Sequence, residues 1–351
     1  MDSDRQELSV RPSRRSRGAR IRFLVEGGSG IGLGHVVRTA VLAAEARRQG
    51  HPVTVALRGD PAAYAALAAE LPGVAIDPWI DAESAVSTGG PVVIDSPGLI
   101  GAELRLAKER GLRSLVLDRV DHLDDADATV LPIIHGPDID HPRLFQGPEY
   151  LFVSQSVTAA ASAHYPGDRD TAVITAGGAD PLGLTVPLTE GLMEVLTGRS
   201  DAPQVQVVIG PAFKGADATV KAVLPLGVSV HRAPSRVSLI SLLARARFAL
   251  TGFGTTVYDL AVLGTPVLYW THRSGDLDAA RRLEVRGIGA LGGDGSEATR
   301  ANVAARLGST AMSSDWCAAA SERGRRVTGE ANGARAILEL LETHHASPVA
   351  A

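Results

Sequence analysis

The stretch IRFLVEGGSGIGLGHVVR, residues 21–38, sets the architecture of the chain. An apolar β run from Ile21 to Glu26 feeds directly into a turn crowded by Gly27, Gly28, Gly30, Gly32 and Gly34. A helical pattern follows from Val36 to Gln49. Strand, glycine turn and helix in immediate succession form the β–α unit of an open parallel sheet, and its turn lies at the carboxyl edge where such sheets bind ligands. Glycines let backbone N–H groups approach a ligand closely, and the helix N-terminus behind them favours an anion. The spacing excludes two common cofactor sites. If Gly28 and Gly30 open a dinucleotide fingerprint, its third glycine falls on Leu33; if Gly30 and Gly32 open it, the third falls on His35. No Gly-Lys-Ser/Thr follows to make a P-loop.

The same alternation continues on both sides of this unit. Strands are predicted at Pro52 to Leu57, Pro91 to Asp95 and Ser114 to Asp118, with helices at Pro61 to Leu71 and Ala102 to Arg110. The pattern weakens through SQSVTAAASAHYPGDRD, a run of small and polar residues with a Pro-Gly turn, which reads as a linker. A second series then runs from Thr171: strands at Thr171 to Thr175, Gln204 to Ile209, Gly227 to Val230, Phe248 to Leu250 and Pro266 to Trp270. Helices are expected from Leu184, near Lys214, over Val237 to Arg245 and over Thr256 to Leu263. The chain is therefore read as two α/β domains, residues 21–160 and 170–351. Residues 1–20 have no apolar periodicity and read as a disordered tail. Beyond Thr310 two helices are expected, the later one over Gly329 to Thr343 with Ala331, Ala334, Ile337 and Leu340 or Leu341 as its stripe. This last helix either packs on its own domain or crosses back to the first.

Composition removes several classes of function. With 35 basic and 39 acidic side chains the net charge is −4, which lacks the basic footprint of a nucleic-acid binder. The single cysteine, Cys317, rules out an intrachain disulfide framework and a CxxC zinc site, and it suits a reducing cytoplasm. No apolar run reaches the length of a membrane span, and no His/Cys/carboxylate cluster at ligand spacing suggests a metal.

Candidate chemistry gathers at strand ends. His35 sits in the first turn of the helix after the glycine loop, where the positive helix end favours the neutral, proton-accepting ring, and Arg38 lies on the same helical face. Asp95 and Asp118 also end strands; capping of the next helix is the competing explanation for each. In the second half, Gly177 and Gly178 follow a strand, with Asp180 and Pro181 opening a helix. In TGFGTTVYDLAVLGTPVLYW, Gly252 and Gly254 turn a strand into a helix that starts with Thr255 and Thr256. Backbone amides and two hydroxyls at that N-terminus suit a diphosphate, and Asp259 one turn on suits vicinal ribose hydroxyls. Two such turns facing each other make a cleft.

These segments, in this order, resemble a known family. G-x-G-H-x-x-R at Gly32 to Arg38, FQGPEYLFV at Phe145 to Val153, GGADP at Gly177 to Pro181, and HRAPSRVSLISLLARARFALTG running into TGFGTTVYDLAVLGTPVL are similar to the hallmark stretches of the UDP-sugar hydrolases of the pseudaminic acid pathway. Those are relatives of the MurG-type glycosyltransferases. The resemblance spans residues 21 to about 290 and implies a GT-B fold, two Rossmann-like α/β domains facing a central cleft, with a nucleotide-sugar, UDP foremost, held between them and no cofactor. It implies a hydrolase in which His35 activates water, with a glycosyltransferase acting on a soluble acceptor as the alternative. By the same resemblance Gly32 and Gly34, with Arg38 and Asp95, line the sugar side. Gly177, Gly178, Gly254, Thr255 and Thr256 hold the diphosphate, Asp259 the ribose, and the backbone between His231 and Val237 the base. The chain departs from the family at Phe253, which replaces a small residue, at Asp259, usually a glutamate, and at Pro97, where a tyrosine is usual.

Overall fold

A computed structural model of the protein describes residues 18–86, 89–134, 136–163, 169–309 and 313–343; most of the expected tail, residues 1–17, lies outside the described residues. The first strand, β1 (Ile21–Gly27), has neighbours on both sides and is buried on both faces, which is why its apolar run is nearly continuous. From it the chain runs through α1 (Gly34–Arg48), β2 (Val53–Gly59), α2 (Pro61–Glu70), β3 (Ala75–Pro78), α3 (Ala82–Ala85), β4 (Val92–Asp95), α4 (Gly101–Glu109), β5 (Ser114–Leu117), β6 (Ala128–Leu131) and β7 (Leu144–Gln146). These seven strands form one parallel sheet in the order β3-β2-β1-β4-β5-β6-β7.

The second half carries α5 (Gln155–Ala163), β8 (Thr171–Thr175), α6 (Thr185–Leu196), β9 (Gln204–Ile209), α7 (Ala216–Val223), β10 (Ser229–Arg232), α8 (Arg236–Arg245), β11 (Ala246–Gly252), α9 (Thr255–Leu263), β12 (Val267–Thr271), α10 (Leu277–Val285), β13 (Ala290–Asp294), α11 (Arg300–Ser309), α12 (Ser314–Thr328) and α13 (Ala334–Thr343). Its six strands are parallel in the order β10-β9-β8-β11-β12-β13. In both sheets the order reverses beside the first strand of the series, β1 or β8. That reversal opens a crevice at the carboxyl ends.

Several elements depart from the sequence reading. The expected linker contains α5, whose alanines favour helix and whose Val157 is fully buried in a cluster shared with α8 and α9. The strands β3, β6, β7 and β13 and the helices α3, α10 and α11 were not anticipated. The first three of these strands have only three or four residues, too few to show a period. The last helix begins at Ala334 rather than Gly329, because Gly329 takes φ 55° and ends α12. This helix packs beside α1: Ile337, Leu338 and Leu341 are buried in the core of the first sheet, and Arg113 Nη1 donates to the Leu341 carbonyl at 2.5 Å. The outgoing and returning segments of chain are tied together where they pass. Gly333 N–H donates to the Leu151 carbonyl (2.8 Å) and Val153 N–H to the Ala331 carbonyl (3.2 Å). A Cβ at Gly333 would lie 2.5 Å from the Tyr150 carbonyl carbon, so this crossing needs glycine.

Candidate functional site

The glycine loop after β1 closes on itself. Gly28 N–H donates to the Gly32 carbonyl at 2.9 Å and Gly32 N–H to the Gly28 carbonyl at 2.7 Å, with both glycines at positive φ (145° and 99°). Asp60, the N-cap of α2, pins the loop from outside by accepting the Ser29 N–H at 2.7 Å. The chain enters α1 through Leu33 and Gly34 with no side chain capping the first N–H groups. Those amides are left for another acceptor.

His35 opens onto the cleft while its Nδ1 faces inward to Asp95 Oδ1 at 2.6 Å. Asp95 is 1% exposed and also takes Arg38 Nε (2.9 Å) and Nη2 (2.6 Å), a two-pronged pair; Arg38 Nη1 goes on to Asp118 at 2.7 Å. Burial pushes the Asp95 carboxyl up, but the Arg38 charge and the hydrogen bonds from His35 and Arg38 outweigh it and hold the group well below the usual carboxylate range. Burial likewise opposes the Arg38 charge, and Asp118 and Asp95 more than offset it. An ionised Asp95 can only accept, so His35 carries a proton on Nδ1, and in the neutral ring Nε2 is the acceptor. The 3.0 Å approach of Arg38 Nη2 to Nδ1 is then a contact between donors that share Asp95 Oδ1. Helix capping, the competing explanation for Asp95 and Asp118, is overturned: both carboxylates bind Arg38. Asp118 does so with φ 63°, unusual for a non-glycine residue.

The second half answers this arrangement across the cleft. Gly254 precedes α9, again without a side-chain cap, and Thr255 and Thr256 form the first turn. The two helix starts meet: a Cβ on Gly34 would be 3.6 Å from the Thr255 side chain, and a Cβ on Gly178 would be 3.0 Å from Leu33. Gly177 takes φ 80°, and Asp180 caps the entry to α6 by accepting the N–H groups of Leu184 (2.7 Å) and Thr185 (3.0 Å). Two positive helix ends and two glycine turns thus border one cleft of ≈ 970 Å³, at the upper end of the range for small-molecule sites. Among the described residues, no helix is long and apolar enough to cross a membrane.

Asp259, expected at the ribose, lines the same cleft. It is buried, and its Oδ2 is held by Arg236 Nη2 at 2.8 Å. Burial raises its carboxyl, with Arg236 pulling it back down. Arg236 itself was missed in the sequence. A cation in the first turn of a helix opposes the helix dipole, and that mismatch in HRAPSRVSL was the available signal. Glu70, at the end of α2 in the first half, also faces this pair; burial raises it and the Arg236 charge lowers it. His272, one residue past β12, and Asp276 complete the cleft wall and were likewise missed.

No family model and no curated protein matches this chain. Solved structures do. The chain is similar to the spinosyn rhamnosyltransferase SpnG (14% identity, 92% of this chain and 100% of that one, TM-score 0.64). It is similar to MurG of Acinetobacter baumannii (13%, 93% and 100%, 0.62) and to the UDP-GlcNAc 2-epimerase of Neisseria meningitidis bound to UDP-GlcNAc (10%, 92% and 100%, 0.61). The chain has the GT-B fold. At these identities the likeness concerns architecture, and chemistry has to come from the cleft itself.

Proposed function

We propose that the protein is an enzyme acting on a nucleotide-sugar, UDP-linked in the first instance, which moves the glycosyl group to a hydroxyl acceptor. One observation carries the reading: the His35–Asp95 pair, fixed by Arg38, sets a proton-accepting imidazole at the mouth of a cleft bordered by two uncapped helix N-termini. The neighbouring structures support it, since they include a rhamnosyltransferase and an epimerase bound to UDP-GlcNAc.

In the proposed reaction the acceptor O–H gives its proton to His35 Nε2 as the oxygen bonds to the anomeric carbon. The bond from that carbon to the diphosphate oxygen breaks, and its electron pair leaves with the nucleotide. The amides at the start of α9, with Thr255 and Thr256, and the glycine turn at Gly177 and Gly178 receive the growing negative charge. Arg38 and Asp95 touch no reacting atom; they hold the tautomer and direction of His35. Gly32 and Gly34 let the sugar approach the backbone. Arg236 and Asp259 face the ribose together, the guanidinium supplying donors and the remaining carboxylate oxygen an acceptor.

Hydrolysis, with water as the acceptor, is the second reading, favoured by the ordered motifs between Gly32 and Leu268 that resemble the pseudaminic acid pathway hydrolases. Thermal shift with UDP, CMP, GDP and NAD tests the shared part. A ligand at a hundred times its dissociation constant adds about 2.7 kcal/mol of stability, so a shift with UDP alone is the expected result. Release of UDP from a UDP-sugar without any added acceptor then separates hydrolysis from transfer.

A further inference from the structure

His272 lies outside the machinery assigned so far. It follows β12 directly, and its ring lies on the backbone of Gly252 at the end of β11: a Cβ on Gly252 would sit 2.1 Å from Nε2 and 2.4 Å from Cε1. Only glycine lets the imidazole occupy this place. Gly252 begins the turn that leads through Gly254 into α9, and Phe253 N–H fixes that turn on the Trp270 carbonyl at 2.7 Å. The ring therefore stands beside the uncapped start of α9 and lines the same cleft as Gly254 and Thr255.

His272 Nδ1 is buried and has no hydrogen-bond partner among the described residues. Buried polar atoms in native structures are nearly always paired, so an unpaired one beside a ligand cleft calls for a ligand. The charged groups facing the ring are Asp180 from the turn before α6, Asp276 from the segment after β12, and the neighbouring Arg273. Burial is the largest influence and disfavours the imidazolium; the two aspartates oppose it and Arg273 adds to it. A diphosphate arriving at the α9 N-terminus would add the negative charge that tips this balance.

We infer that His272 is an ionic ligand of the donor's diphosphate, neutral in the unliganded protein and protonated when the diphosphate is bound. The inference rests on the nucleotide-sugar reading and deepens it. Binding would draw a proton from solvent. Because the bound state favours the imidazolium, affinity rises as pH falls through the histidine range, by up to tenfold per pH unit, and flattens at alkaline pH where the ring stays neutral. The fixed partial charge at the α9 N-terminus alone would give no such linkage.

The test is calorimetric titration of UDP into the wild-type chain, His272→Asn and Gly252→Ala, each in buffers of different ionisation heat. The terminal phosphate of UDP titrates near about pH 6 itself, so the comparison with His272→Asn isolates the side chain. Wild type is expected to take up more protons per UDP than His272→Asn, by as much as one. The variant is expected to bind about tenfold more weakly at pH 6 and to approach wild type above about pH 8. Gly252→Ala keeps the histidine but displaces it, and is expected to lose the extra uptake as well. Equal proton uptake in wild type and His272→Asn, with dissociation constants within twofold across the pH range, would overturn the role of His272 alone. Absence of UDP binding to folded wild type would instead overturn the nucleotide-sugar reading, and this inference with it.

Discussion

Replacing Asp95 with asparagine removes one charge from the centre of the site and keeps its shape. The carboxylate is 1% exposed and is met by four donors, Arg38 Nε at 2.9 Å, Arg38 Nη2 at 2.6 Å, His35 Nδ1 at 2.6 Å and Thr39 Oγ1 at 3.4 Å. An amide turns an NH2 group toward at least one of these donors, and it leaves the buried guanidinium with Asp118 as its remaining anion. Breaking a buried pair from one side costs about 3–5 kcal/mol. At ~2–4 °C per kcal/mol for a domain of this size, Tm should fall by roughly 6–20 °C. Nucleotide release from the donor should fall by about 10²–10⁴ in kcat, because a neutral amide no longer offers His35 the anionic acceptor that fixes its tautomer. The pH dependence has a definite sign. The folded-state carboxyl lies below its unfolded value, so its contribution is complete above about pH 4 and fades as acid protonates it. The stability gap between wild type and Asp95→Asn, from urea unfolding, should be constant near neutrality and narrow below about pH 4. His35→Ala, by contrast, should lose turnover with little change in Tm, since the ring is partly exposed. Wild-type Tm together with wild-type kcat in Asp95→Asn would show that this buried pairing supports neither the fold nor the reaction.

Three further outcomes concern other parts of the molecule. Arg236→Ala strips the partner from buried Asp259 and should weaken UDP binding about ten- to a hundredfold, the worth of a charged hydrogen bond, with a lowered Tm; unchanged affinity in calorimetry would remove Arg236 from the nucleotide site. Ile337→Ala, on the fully buried face of α13, should cost about 2–5 kcal/mol by urea unfolding; a neutral result would mean that α13 does not pack beside α1 in solution. Gly333→Ala should cost about 1–3 kcal/mol through the clash with the Tyr150 backbone, seen as a lower urea midpoint.

Much of the architecture was legible because β1, β8 and their helices carry long apolar runs broken by glycine, a pattern with few alternatives. His35, Gly34 and Gly254 were legible for the same reason: they sit where a central strand hands over to a helix. Short strands such as β6 and β7 escaped because three or four residues between turns carry no usable period. The linker was misread because an alanine-rich helix with one buried valine, Val157, looks like a polar spacer until α8 and α9 cover it. Pairings were the least legible. The Asp95–Arg38–Asp118 chain spans 57 and 80 residues of sequence, and Arg236–Asp259 joins two different helices. Which carboxylate caps a helix and which holds a cation is decided only when the sheet brings strand ends together.

The proposed role of His35 in glycosyl transfer from a nucleotide donor is open to a single comparison. UDP release from a panel of UDP-sugars would be followed for wild type and His35→Ala, with and without hydroxyl acceptors, alongside UDP affinity for both chains. Wild type should release UDP, His35→Ala should lose about 10²–10⁴ of that rate, and the two UDP dissociation constants should lie within a few-fold of each other. Release that survives in His35→Ala would remove the histidine from the chemistry, and a folded wild-type chain that binds no UDP would remove the nucleotide donor.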